Sequence, residues 1–196
     1  MSMGIVLASG SPRRRELLDL IGIGGYRIIA DDSEENIPEG STPEQTVSEI
    51  ALQKAKNVSR FCDDDDIIIA ADTLVYLDGD PLGKPESPAD AEAMLRKLSG
   101  RGHTVFTGVV LLKGSWIKTD VVKTDVVFRE ISDGEILAYV KSGEPMDKAG
   151  AYGAQGRGSV FIERIEGEFF NVMGMPLCRL SMMLKEFGVG LPTNVN

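Results

Sequence analysis

A chain of 196 residues with 42% hydrophobic side chains can build its own core, as one large domain or one domain of two lobes. The two cysteines, Cys62 and Cys178, have no CxxC partner and His103 is the sole histidine, which argues against disulfide scaffolds, zinc sites and most histidine-based triads. A net charge of −9 argues against a nucleic-acid partner but not against a small anion held by local cations or a metal ion, and with no signal-peptide start and no apolar run of membrane length the reading is a cytoplasmic protein.

In chain order, Gly4 to Ala8 reads as a short strand, followed by a helix opened by Ser11 as cap and Pro12 as first residue. Tyr26 to Ala30 reads as a second strand, and Asp31 to Glu39 as an acidic loop. The next helix is capped by Thr42 and Gln45 in a capping-box pattern and carries the apolar stripe Val47, Ile50, Ala51, Ala55 and Val58. Ile67 to Ala71 is an apolar run suited to a strand buried on both faces, ended by Asp72-Thr73. Leu74 to Leu77 then enters a hairpin at Asp78-Gly79. A helix from Ser87-Pro88 ends at Gly100. Two long β segments follow, Thr104 to Leu112 and Trp116 to Phe128, and then a helix over 132–142. Ala149 to Gly158 is a glycine-rich loop, Val160–Ile165 and Glu168–Met173 read as a hairpin about Glu166-Gly167, and a last helix follows Pro176. Early alternation and later hairpins predict an α/β protein with a mixed sheet, taken as one domain over 1–190 with a loose tail at 191–196.

Several residues stand out chemically. Ser9-Gly10-Ser11-Pro12-Arg13-Arg14-Arg15 puts three cations in or beside the first turn of a helix, an end that already carries partial positive charge. Amides, hydroxyls and guanidinium groups there suit a polyphosphate, while a solvated basic turn explains the tripeptide equally well. Lys54, four residues after Ile50, falls on the apolar stripe and must either meet an anion or snorkel to water, the commoner outcome. Asp72 ends a buried strand and could hold a metal or act as a base; bonding to a nearby amide is the bland alternative. In a bulge-free register about Asp78-Gly79, Thr73 lies opposite Lys84, which brings Lys84 beside Asp72. Glu34 and Glu35 of the acidic loop could supply a second metal carboxylate, although such runs are usually solvated. In Gly150 to Gly158, four glycines after Tyr152 and before it allow close approach of backbone to a ligand, and Gln155 offers a donor and an acceptor to a base edge. His103 reads as a strand-start residue with its bonds satisfied.

Together these segments resemble the Maf family of nucleotide pyrophosphatases. LASGSPRRRELL, ALQKAK, IAADTLV, LGKP, LRKLSG, GEPMDKAGAYGAQGRG and FNVMGMPL occur in the family's order across nearly the whole chain. The resemblance implies an elongated mixed α/β sheet with flanking helices, two lobes around a central cleft, similar to inosine triphosphate pyrophosphatase, and frequent homodimers. It implies cleavage of surplus or non-canonical nucleoside triphosphates with Mg²⁺ or Mn²⁺, and in some bacteria a link to septum formation. By the same resemblance the catalytic residues fall on Asp72, Lys54 and Lys84, and phosphate binding on Ser9, Arg13 and Arg14. The metal carboxylates fall on Asp72 with Glu34 or Glu35. Arg13, Thr73 and Gln155 follow the branch acting on dTTP and UTP rather than that acting on 7-methyl-GTP. Phe169-Phe170-Asn171 departs from many relatives. A non-catalytic nucleotide-binding regulator of septum formation is the rival reading.

Overall fold

The computed structural model describes residues 4–30, 33, 37 and 40–191. Among these, one mixed sheet has the order β2-β1-β3-β5-β6-β7, with β4 paired to β3. Its strands are β1 (Ile5–Leu7), β2 (Arg27–Ile28), β3 (Ile67–Leu77), β4 (Asp80–Leu82), β5 (Gly102–Lys113), β6 (Trp116–Phe128) and β7 (Ile162–Glu166). The helices are α1 (Pro12–Leu20), α2 (Pro43–Ser59), α3 (Pro88–Leu98), α4 (Asp133–Lys141), α5 (Phe169–Val172) and α6 (Leu177–Glu186). No described helix is long and apolar enough to cross a membrane. The expected mixed α/β sheet with flanking helices is the fold found.

The chain divides into two compact units, one of residues 1–72, 107–122 and 174–196, the other of 73–106 and 123–173. The first has a core in which period-2 strand faces meet a period-3.6 helix face. Val6 and Ala8, Ile68 and Ala70, and Val110 and Leu112 present one face, and Ala51, Ala55 and Val58 of α2 pack on it. The opposite-facing Leu7, Ile67, Ile69 and Ala71 are also buried, so this stretch is covered on both sides, as its unbroken apolar run requires. The α2 backbone comes very close to the sheet. A Cβ on Gly108 of β5 would lie 2.4 Å from the Val47 carbonyl oxygen, a contact no side chain can make.

Local signals are honoured where they are self-contained. Thr42 and Gln45 close a reciprocal capping box on α2, as do Ser132 and Glu135 on α4, and each satisfies two orphan amides. Asp78 and Gly79 take φ of 57° and 93°, the pair of positive angles that a two-residue hairpin of matching twist needs. The predicted register follows, with Leu77 opposite Asp80 and Val75 opposite Leu82.

Two expectations fail. β3 does not stop at Asp72 but runs on through it to Leu77, so the carboxylate lies mid-strand. The hairpin about Glu166-Gly167 does not form either. β7 pairs with β6, and residues 169–172 make a single helical turn. The reason is a buried polar group. Asn171 has no solvent exposure, and its amide donates to the Val105 carbonyl (3.1 Å) and Thr124 Oγ1 (3.0 Å), while Thr124 Oγ1 donates to the Glu168 carbonyl. Extended pairing would surrender those bonds in a dry site.

Candidate active site

The connections set the place. From β1 the chain passes through α1 to β2 on one side, then through α2 to β3 on the other side of β1, both parallel to it. In open α/β sheets the crevice at such a reversal, outside the carboxyl ends of the strands, is where ligands sit. The segment from Ser9 to Arg15 leaves β1 at that end. The ladder between β1 and β3 ends at the Leu7–Ile69 pair, with the Ala8 amide donating to the Ile69 carbonyl at 2.8 Å, so Ser9 and Asp72 each follow a few residues beyond that last contact.

Ser9 is buried, and its Oγ accepts from the Ser11 amide (3.2 Å) and from Arg14 Nη1 (3.2 Å). Arg14 Nε donates to the Gly174 carbonyl at 2.9 Å, which holds the guanidinium from a second side. Ser11 occupies the cap position of α1 as expected, yet its side chain makes no capping bond, and the first turn holds no acid. The positive end of α1 therefore carries Arg13, half-buried, Arg14 and Arg15 with no carboxylate of its own turn to offset them.

Lys54 of α2 resolves its anomaly by meeting an anion: Nζ lies 2.6 Å from Asp72 Oδ1, with the two side chains 17% and 13% exposed. Each charge would be costly in so shielded a place without the other. The structure thus brings Ser9 to Arg14 and Lys54 to Asp72 within the first unit. Thr73, Lys84 and Gln155 belong to the second. Thr73 follows Asp72 along β3, half-buried; Lys84 is exposed, two residues past the end of β4; Gln155 is exposed on its loop. Glu34 and Glu35 lie outside the described residues.

A divalent ion finds a partial donor set here. Among the described residues no three His, Cys, Asp or Glu side chains converge, and Asp72 is the carboxylate that the Lys54 contact places here. That suits a hard cation of the Mg²⁺ type, which takes one or two carboxylates and completes its shell with water and substrate phosphate.

The sequence reading passed over Glu144 and Tyr139. The glycine-rich segment is not an open loop but a wrap around the Glu144 carboxylate. Its Oε1 accepts from the Tyr139 hydroxyl (2.9 Å) and the Gly158 amide (3.1 Å), and its Oε2 from the Arg157 amide (3.1 Å). Burial works against the charged form, but those donors together outweigh it and hold the carboxyl below its ordinary range. Tyr139, pushed above the usual phenol range chiefly by burial, also accepts from the Gly153 amide at 3.1 Å. The available signal was the spacing of Gly153, Gly156 and Gly158 after an acid in GEPMDK, quoted above only as a family marker.

A HAM1 protein from Coxiella burnetii superposes with a TM-score of 0.52 at 19% identity, covering 94% of this chain and all of that one, a likeness of fold alone. A family model described as Maf-like protein matches residues 4–187, and the chain belongs to that family. A dTTP/UTP pyrophosphatase of Bacillus cereus (strain AH820) is 45% identical over 185 residues, 94% of this chain and 96% of the relative. One of Bacillus anthracis matches equally, at 45% over 185 residues with the same coverage.

Proposed function

We propose that this chain hydrolyses dTTP and UTP to the nucleoside monophosphate and pyrophosphate. The observation that carries the reading is the shielded Lys54–Asp72 pair on β3, the strand paired with the β1 that leads into the Ser9–Arg14 segment at the reversal point of the sheet. A triphosphate brings about four negative charges to a site, and attack at the α-phosphorus moves more charge onto the leaving pyrophosphate. Ser9, Arg13 and Arg14 bind the phosphates, and Lys54 and Lys84 help to neutralise them. The water oxygen bonds to the α-phosphorus, the bond from that phosphorus to the bridging oxygen breaks, and its electron pair leaves with pyrophosphate. Asp72 takes the water proton, held in orientation by Lys54. Asp72, with Glu34 or Glu35, would hold Mg²⁺ or Mn²⁺, which supplies charge neutralisation at the phosphate oxygens when bound. Thr73 and Gln155 read the O4 and N3–H edge that thymine and uracil share.

Pyrophosphate release from dTTP, UTP and 7-methyl-GTP tests this, with Asp72→Asn as control. Release from both pyrimidine nucleotides is expected, falling by roughly 10²–10³ in the variant while its circular dichroism stays that of the parent. A preference for 7-methyl-GTP would refute the pyrimidine assignment. Binding without release would return the chain to the non-catalytic regulator.

A further inference from the structure

The chain segment that carries Gln155 is tied down on both sides of it, and both ties run to the same pair of side chains. Two residues before Gln155, the Gly153 amide donates to the Tyr139 hydroxyl at 3.1 Å. Two and three residues after it, the Arg157 and Gly158 amides donate to Glu144, both at 3.1 Å. Tyr139 in turn donates to Glu144 at 2.9 Å, so the two anchors are one unit. Tyr139 itself is only 4% exposed and stacks edge-on with Phe161, ring centroids 5.1 Å apart, which keeps the hydroxyl from moving. Glu144 starts a short 3-10 turn, and Lys148 Nζ caps its carbonyl at 2.6 Å.

The wrap leaves no room for slack. Gly156 has φ of 112°, and a Cβ there would come 2.9 Å from Glu144 Oε1. On Gly158 a Cβ would come 2.7 Å from both the Tyr139 hydroxyl and the Gly153 carbonyl. Backbone from Gly153 to Gly158 is therefore moulded on a half-buried carboxylate that accepts three hydrogen bonds from the protein, while the Gln155 side chain between the ties is exposed. A flexible glycine-rich loop could not present an amide in one pose; a loop bonded at both flanks can, and presenting a preformed donor and acceptor is what base discrimination needs.

We propose that Glu144, with Tyr139, is a positioning residue for base recognition, holding residues 153–158 so that Gln155 presents its amide in a fixed pose. The inference rests on the reading of Gln155 as the residue that meets the base.

The test compares the full chain with Glu144→Gln, Tyr139→Phe, Gln155→Ala and the double variant Glu144→Gln/Gln155→Ala. Steady-state pyrophosphate release from dTTP, UTP and dCTP gives KM and kcat, and limited trypsin digestion reports cutting at the Arg157–Gly158 bond. Glu144→Gln is expected to raise KM for dTTP and UTP about tenfold, the effect of losing one charge-assisted contact, with kcat held within about threefold. It should also narrow the preference over dCTP and quicken cutting at Arg157. Tyr139→Phe, which keeps the packed ring, should shift the same readouts in the same direction, so a Glu144 variant that failed to fold would not end the test. Adding Gln155→Ala to Glu144→Gln should cost little more, because both act through one amide. Additive effects, or quicker cutting with KM and preference unchanged, would overturn the proposal. Gln155→Ala alone separates the two levels. If it leaves KM and base preference as in the parent, the base reading fails and takes the proposal with it; if it raises KM while Glu144→Gln and Tyr139→Phe do not, only the proposal fails.

Discussion

His103, the second residue of β5, is 4% exposed and ringed by Phe128 and Tyr152, whose centroids stand 4.9 and 5.3 Å away. Its Nε2 shares a hydrogen with the Tyr152 hydroxyl at 2.8 Å, but Nδ1 meets no hydrogen-bond partner among the described residues, so the expectation of a fully satisfied ring does not hold. Burial pushes the imidazole down from 6.5 to about 4, and the charge of Asp125 only partly opposes it. The unfolded chain therefore takes up a proton below pH 6.5 that the folded chain refuses until pH 4 or so. Stability is complete above the unfolded value and is lost as pH falls through that window, by about 3 kcal/mol in all. Urea denaturation between neutral and acid pH should show this loss, and His103→Phe should flatten it. Parallel curves for parent and variant would show that the ring titrates normally. Lys54 is the opposite case at this scale: its position on the stripe flagged it, and its 2.6 Å contact with Asp72 answers the anomaly.

At the level of elements, helices whose ends are specified by neighbouring residues were readable, and so were the long strands, but a short segment whose fate depends on distant partners was not. Thr42 finds Gln45 three residues on, so the start of α2 needs nothing else. Residues 169–172, by contrast, are apolar enough for a strand, and only the Asn171 bonds to Val105 and Thr124 make them a turn of helix. Gly108 belongs here too. Nothing in the sequence marks it as the point where α2 rests on β5, since the contact is to the Val47 carbonyl, remote along the chain. Gly108→Ala must push helix and sheet apart. A loss of about 2 kcal/mol is expected, a fall in thermal midpoint of about 4–8 °C. A midpoint unchanged in a thermal melt would mean that α2 is not seated on that glycine.

For the molecule as a whole, the proposed metal dependence separates activity from stability. Asp72 is one carboxylate, and among the described residues no protein-only cage surrounds it. Chelation with EDTA is expected to stop pyrophosphate release and leave the thermal midpoint where it was, with Mg²⁺ or Mn²⁺ restoring turnover. A large drop in midpoint would reveal a structural metal instead, and undiminished turnover would remove the metal from the reaction. The division of the chain at Asp72–Thr73 also orders the candidate residues: Ser9, Arg13, Arg14, Lys54 and Asp72 fall in one unit, Thr73, Lys84 and Gln155 in the other.

From its residues alone the chain determined the helix starts, the turn at Asp78-Gly79 and its register, the two-sided burial of Ile67–Ala71, and, through its motifs, the family. All of these depend on neighbours a few residues apart or on short strings read whole. Tertiary structure alone decided that β3 continues past Asp72, that residues 169–172 coil instead of pairing, and that Lys54 meets Asp72 rather than water. It also decided that the glycines after Tyr152 close on Glu144. Each of these turns on a polar or close-packed contact between remote segments, and the energy of such a contact exists only once the fold has removed water from around it.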